Sequence, residues 1–344
     1  MQQEKQLQNH HFWLRLGAWM LVTLFFIGCI ATLSVTESKK RIYQTQVEVP
    51  TPKSLVTPFP ISVNPQTSTI TYSADVLQYL NTELASEDSK PIRTSWWHNL
   101  TRKLAQMPWY QSLASPMSRV LVVWPGDRKE QVIDNIGDIM RWDTAERSRF
   151  ETAVTERSSL PLVDGYYFPG QYITTIDMSP EAVADLITEN FLSVVKNRYP
   201  EELENIVSLS DTLIIASLLE RESASFEDMR EISGVVWNRL FIDMPLQLDA
   251  TLQYVKANDP DQTAWWPVPR PEDKFLDSPY NTYQNKGLPP GPIANPSAAA
   301  ILAALNPNLT DCLFYFHHTD RSMHCSATYE EHIAKLKAFY GQGR

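Results

Sequence analysis

A chain of 344 residues has room for two folded units and some connecting segments. Hydrophobic residues make up 43% and charged residues 20%, globular values that exclude wholesale disorder and a polytopic membrane protein. Asp and Glu number 40 against 30 Lys and Arg, so the net charge is −10 and the basic field that holds nucleic acid is missing. Cys29, Cys312 and Cys325 form no Cys-x-x-Cys pair, which argues against a structural zinc site. The sequence also lacks a Walker loop, a His-Glu-x-x-His and a Gly-x-Ser-x-Gly, and it implies no cofactor and no metal.

Residues 16–35 carry no charge for 20 positions, enough apolar helix to cross a bilayer. One reading is a single membrane span preceded by a cytoplasmic tail, residues 1–15. The other is a cleaved leader, because Phe26-Ile27-Gly28-Cys29 resembles a lipobox that would lipidate Cys29. Against the leader, the apolar run continues six residues past that cysteine. Lys5 and Arg15 precede the run and Lys39, Lys40 and Arg41 follow it, so charge alone leaves the orientation open. Residues 36–70, Pro- and Thr-rich from 44 onward, read as a semi-rigid linker or as an extended strand against the next domain.

Residues 71–158 begin with a helix expected over 74–84. Trp96, Trp97, Trp109 and Tyr110 follow, either a stacking platform for sugar rings or ordinary core packing. Val120-Leu121-Val122-Val123-Trp124 is strand-like and Pro125-Gly126-Asp127 is turn chemistry. Val132, Ile133, Ile136, Ile139 and Met140 then keep helical spacing. This order resembles the opening of a LysM-type glycan-binding module; structural support for the following domain is the competing reading.

From 159 to 344 the elements are well punctuated. Ser179-Pro180-Glu181 starts a helix that Pro200 closes, and Ser225 with Asp228 suggests a capping pair. Asn295-Pro296 precedes a short Ala-rich helix, Leu313 to Phe316 is a strand, and Thr328 with Glu331 caps a final helix. Helices and strands alternate irregularly, so the expected class is α+β.

Leu213 to Leu219 is a run without charge that leads straight into Glu220-Arg221-Glu222. Leu213, Ala216, Ser217 and Glu220 share one helix face, so Glu220 leaves a buried face near the last turn. Desolvation and the negative end of the helix both favour its protonated form, the state a general acid needs near neutral pH. The alternative is a structural ion pair with Arg221, Arg230 or Arg239. A second signal is Tyr280-Asn281-Thr282-Tyr283 followed by the Pro-stiffened loop 287–296, equipment for stacking on and bonding to an N-acetylated sugar, or else a plain crossover. Third, Gln247-Leu248-Asp249-Ala250-Thr251 offers either a second carboxylate or a helix cap.

Asp164 to Pro169, Ala216 to Ser223, Asn238-Arg239-Leu240, Leu246 to Thr251, Tyr280 to Tyr283 and Gly287 to Ile293, taken in order, resemble the YceG-like endolytic murein transglycosylases from about residue 160 onward. The chain departs from the family pattern at Ser223, where Thr is usual, and at Ala250, where Pro is usual; neither removes a functional group. The resemblance implies a bacterial protein held in the inner membrane by one N-terminal span, with a small LysM-like subdomain and a C-terminal α+β catalytic domain outside the cytoplasm. It implies lytic cleavage of peptidoglycan glycan strands beside peptidoglycan synthases, with Glu220 as the catalytic acid. Glu222, Gln247, Asp249, Tyr280, Asn281 and Tyr283 are the candidates for lining the cleft. Glu222 lies about 200° around the helix from Glu220 and is expected to orient neighbours rather than react. A catalytically silent wall-binding scaffold of the division machinery and a hydrolytic muramidase using Glu220 and Asp249 remain the rival functions. Cys312 and Cys325 flank a hairpin and could bond in an oxidising periplasm, or remain free thiols. His317, His318, His324 and Cys325 fit no usual metal spacing.

Overall fold

The structure, a computed structural model, describes residues 57–71, 118–157 and 164–341. The expected tail 1–15 and span 16–35, Cys29, the helix expected over 74–84 and the aromatic stretch from Trp96 to Tyr110 lie outside these residues. Among the described residues no helix is long and apolar enough to cross a membrane.

Residues 57–71 form a docked hairpin, nearer to the strand alternative than to a semi-rigid linker. β1 (Val63–Asn64) pairs antiparallel with β2 (Thr69–Ile70). Phe59 and Val63 are buried against the domain. The Phe59 N–H donates to the Arg198 carbonyl at 2.9 Å and the Ser62 N–H to the Leu305 carbonyl at 3.0 Å. The Asn306 amide donates to the Pro60 carbonyl at 2.8 Å. A proline-rich segment has few N–H groups to satisfy, so a handful of such bonds lets it lie flat on a neighbour.

β3 (Ser118–Val123) pairs antiparallel with β4 (Gly170–Thr175), with Val120 opposite Ile173. Arg119, Leu121 and Val123 are buried, the alternation of a half-covered strand. The turn at Gly126 leads into α1 (Lys129–Met140), which buries Val132, Ile133, Ile136, Ile139 and Met140, the stripe legible in its sequence. α2 (Thr144–Arg157) follows and buries only Phe150, Ala153 and Val154. β4 lies in the segment assigned from sequence to the catalytic domain. The boundary expected between 158 and 159 therefore cuts through one sheet.

α3 (Pro180–Val194) begins at Ser179, whose side chain accepts the Ala182 N–H. α4 (Glu201–Glu204) is a single turn. α5 (Leu209–Glu222) then runs through the core, burying every residue from Thr212 to Leu219, which is why its sequence has no polar face there. It packs against α6 (Phe226–Phe241), α7 (Asp249–Lys256) and α8 (Ala298–Leu305). The alanines of α8 permit a close approach, and Trp237 on α6 donates its Nε1–H to the Ala304 carbonyl at 2.9 Å. Helices with three two-stranded antiparallel sheets among the described residues make the domain α+β, as expected.

The third sheet pairs β5 (Phe314–His317) with β6 (Met323–Ser326), and α9 (Tyr329–Tyr340) packs on it after the Thr328 cap. Cys312 and Cys325 are joined by a disulfide, 13 positions apart in sequence. Closing a loop of about 15 residues restricts the unfolded chain by about 3 kcal/mol. Replacing both cysteines with Ser should lower the unfolding free energy by about that amount in a urea titration; an unchanged midpoint would deny the crosslink a stabilising role.

Candidate active site

The site is assembled by bonds between segments far apart in the chain. Ser217, fully buried on α5, donates to the Ile214 carbonyl at 2.7 Å and accepts the Ile293 N–H at 3.0 Å. That bond pins the Pro-rich loop 287–296 to α5 one turn before Glu220. Further along the loop, the fully buried Asn295 accepts the N–H groups of Gly165 (2.9 Å) and Tyr167 (3.1 Å) on Oδ1. Its Nδ2 donates to the Asp127 carbonyl at 2.8 Å. Its backbone also pairs with the β3–α1 turn, Gly126 N–H to the Asn295 carbonyl and Asn295 N–H to the Asp127 carbonyl, each at 2.9 Å.

Glu220 sits in the last turn of α5. Its Oε2 accepts two bonds from Ser297, at 3.0 Å from the backbone N–H and 2.7 Å from the hydroxyl. Ser297 is the N-cap of α8, and its Oγ also accepts the Ala300 N–H at 3.1 Å. Oε1 of Glu220 accepts no hydrogen bond among the described residues, and it is not one of the buried unpartnered atoms. Burial pushes the Glu220 carboxyl up from the usual carboxylate range, while the two Ser297 bonds and the Arg221 charge pull it partway back.

The ion-pair alternative for Glu220 is not the arrangement found. Arg230 donates to the Asn306 carbonyl at 2.9 Å and pairs with Glu227 at 3.5 Å. Arg239 donates to the Leu313 carbonyl at 2.7 Å. Arg221 turns onto Trp266, with Cζ 3.8 Å from the ring centroid. Gly126 makes room for that arrangement. A Cβ built there would lie 3.1 Å from Arg221 Nη1 and 3.8 Å from Glu220 Cγ, and its φ of +81° is a conformation that side chains disfavour.

The other sequence-derived residues gather beyond the end of α5. Glu222 turns away from Ser297: its Oε1 accepts the Ala250 N–H at 3.0 Å and its Oε2 the Tyr315 hydroxyl at 3.2 Å. It thereby satisfies a free N–H in the first turn of α7. Burial raises the Glu222 carboxyl too, the Ala250 N–H opposes this, and the Asp249 charge adds to the rise. Asp249 is exposed as the first residue of α7 and accepts the Tyr283 hydroxyl at 2.7 Å. Burial, followed by the bond to Asp249, pushes the Tyr283 hydroxyl well above its ordinary value. Tyr280 is half-buried with its ring 4.8 Å from that of Tyr254, and Gln247 is exposed at a backbone φ of +50°.

Asn281 requires a correction. Its side chain is fully buried and spent on its own loop, donating to the carbonyls of Lys274 (3.2 Å) and Leu276 (2.8 Å) and accepting the Tyr283 N–H (3.0 Å). A buried amide must find partners within the protein, so Asn281 shapes the loop and has no donor left for a sugar.

Ser297, Asn295, Gly126 and Trp266 are the site neighbours that the sequence reading did not single out for chemistry. Gly126 carried the sign of a turn and Asn295 and Ser297 those of a helix start, but none of these pointed to Glu220.

A family model described as the YceG-like family matches residues 68–338, well over half of the chain. The chain belongs to the YceG-like family. The match begins far ahead of residue 160, where the sequence motifs begin to resemble the family, and so takes in 71–117. Among curated proteins, the chain is 36% identical over 171 residues to an endolytic murein transglycosylase of Bacillus subtilis (strain 168), covering 49% of this chain and 46% of that protein. It is 33% identical over 153 residues to the protein of the same name from Streptococcus pneumoniae serotype 2 (strain D39 / NCTC 7466), covering 44% and 28% respectively. The chain spans about half or less of the length of the curated relatives it matches. Its fold is similar to a crystal structure of a YceG-like protein from Listeria monocytogenes, with a TM-score of 0.52 and 28% identity over 63% of this chain and 76% of that one.

Proposed function

We propose that this protein is an endolytic murein transglycosylase, a carbon–oxygen lyase that cuts within peptidoglycan glycan strands. The observation that carries the reading is the Glu220 carboxyl: raised by burial, anchored through Oε2 by both donors of Ser297, and unpartnered at Oε1. An oxygen that already accepts two hydrogen bonds leaves the acidic proton to the other, so the proton is carried on Oε1. Glu220 gives that proton to the oxygen bridging MurNAc and GlcNAc as the bond to the MurNAc anomeric carbon breaks. The sugar's own 6-hydroxyl attacks that carbon and returns its proton to Glu220. A C–O bond forms where one was lost, a 1,6-anhydro end remains, and no water is consumed. Because the nucleophile is tethered, effective concentrations of about 10⁵ M or more are accessible, and one carboxylate suffices. A hydrolase would need a second carboxylate about 5 Å or about 6.5–9.5 Å away, whereas Asp249 is engaged with Tyr283. Mass spectrometry of intact sacculi after digestion tests the reading. Anhydro ends are expected; reducing ends heavier by one water would establish hydrolysis instead.

The same reading sets the chain in the bacterial inner membrane by the span 16–35, with the bulk outside the cytoplasm beside the synthases that extend the strands. The Cys312–Cys325 disulfide supports an oxidising compartment. The strand–helix–helix–strand order of β3, α1, α2 and β4 supports a LysM-like glycan-binding unit.

The acid form of Glu220 is the reactive one, so cleavage should fall as pH rises through its raised pKa. Ser297→Ala removes a donor that favours the anion. It should move the alkaline limb of the kcat/KM profile to higher pH, and should cost about 1 kcal/mol through loss of the α8 cap. An alkaline limb that stays put in the variant would separate Glu220 from the pH dependence.

A further inference from the structure

Among the described residues of the site, Arg221 is the one whose charged group has no assigned use. Its Nε is buried without a hydrogen-bond partner. Nη1 and Nη2 form no hydrogen bond or ion pair among the described residues, and neither is a buried unpartnered atom, so both reach solvent. The guanidinium carbon lies over the Trp266 ring, 3.8 Å from its centroid, and a Cβ built at Gly126 would come within 3.1 Å of Nη1. Nearby acids contribute charge but not partners. Oε2 of Glu220 is bonded to Ser297, both oxygens of Glu222 are bonded to Ala250 and Tyr315, and Asp127 accepts the Trp124 N–H at 3.2 Å. A guanidinium offers five N–H donors and no acceptor, and stacking on an aromatic face keeps its edge free for a planar, two-oxygen partner. The buried Nε goes without a partner, while the two solvent-facing nitrogens exchange water readily for the oxygens of an anionic ligand.

We propose that Arg221, stacked on Trp266, is a carboxylate-reading subsite beside Glu220 that selects the acidic substituents of the glycan strand. The proposal rests on the transglycosylase reading and adds a specificity element to it. Two parts of the substrate carry the required chemistry: the lactyl carboxylate of a strand stripped of peptide, and the carboxylates of a stem peptide. The contact with the indole restrains the cation before substrate arrives, so less side-chain freedom is lost on binding.

The test compares glycan strands bearing stem peptides with amidase-stripped strands, each as isolated and after acetylation of amines and conversion of carboxyls to methylamides. The full-length chain is measured by kcat/KM for release of anhydro ends, and its Glu220→Gln form by strand affinity. Wild type should prefer native over amidated strands by about tenfold, the size of a charge-assisted bond at a half-open site. Arg221→Met should be about tenfold weaker on native strands and indifferent to amidation. Arg221→Lys, a point charge without the planar fork, should keep part of the preference. A preference confined to stripped strands assigns the lactyl group, and one confined to peptide-bearing strands assigns the stem. The proposal is overturned if wild type ignores amidation, a result needing no variant to fold, or if Arg221→Met discriminates as wild type does. Digests without anhydro ends would reject the transglycosylase reading separately, and the affinity comparison would still decide the fate of the subsite.

Discussion

Replacing Glu220 with Gln is expected to reduce strand cleavage by about 10³-fold or more while leaving the fold intact. The amide has the same shape, and its oxygen can still accept both Ser297 donors, so α5, α8 and the loop between them keep their registry. What disappears is a proton that can leave and return. The same variant carries a stability signature with a definite sign. A carboxyl raised by burial binds its proton more tightly folded than unfolded, so its favourable contribution is present below the unfolded pKa and lost as pH rises through the folded one. Gln has no charge to bury. Its melting temperature should therefore exceed that of wild type at pH 8 and approach it at pH 4. Equal yields of anhydro-ended products from wild type and variant would remove Glu220 from the reaction.

Asn295→Ala should be the most destabilising single change near the site, lowering the unfolding free energy by about 4 kcal/mol. The side chain satisfies the N–H groups of Gly165 and Tyr167 in the interior, and leaving each of two buried donors unpaired costs about 1–3 kcal/mol. The Asp127 carbonyl retains the Asn295 backbone N–H, so that acceptor is not orphaned. The loss should appear as a lower urea midpoint together with reduced cleavage, because the Gly126 turn behind Arg221 is held by the same junction. A loss below about 1 kcal/mol would mean that the backbone pair alone holds these segments.

What could be read from the sequence was what neighbouring residues decide. Ser179, Ser225 and Thr328 cap helices where their spacing said they would. The stripe on α1 followed from periodicity, because that helix presents one apolar face to the core, and the burial of α5 from its run without charge, because it is covered on all sides. α2 escaped notice because only three of its residues are buried and its stripe is faint. The domain boundary was misplaced because β3 finds its partner in β4 some 50 positions later, a pairing that no local pattern encodes. Ser297 and Glu220 are 77 positions apart, and their bond follows from where the Pro-rich loop docks on α5. Asn281 misled for a related reason. Its chemistry suits a sugar, but burial made its own loop the only available partner.

Glu220 stands where two helices end with opposite polarity. The carbonyl end of α5 discourages negative charge at its side chain, while the amide end of α8, presented through Ser297, welcomes it. The carboxyl between these opposed fields is raised by burial, and the donors at the α8 end oppose the rise. On the transglycosylase reading proposed above, donation and recovery of the proton would both take place at this one junction of helix ends.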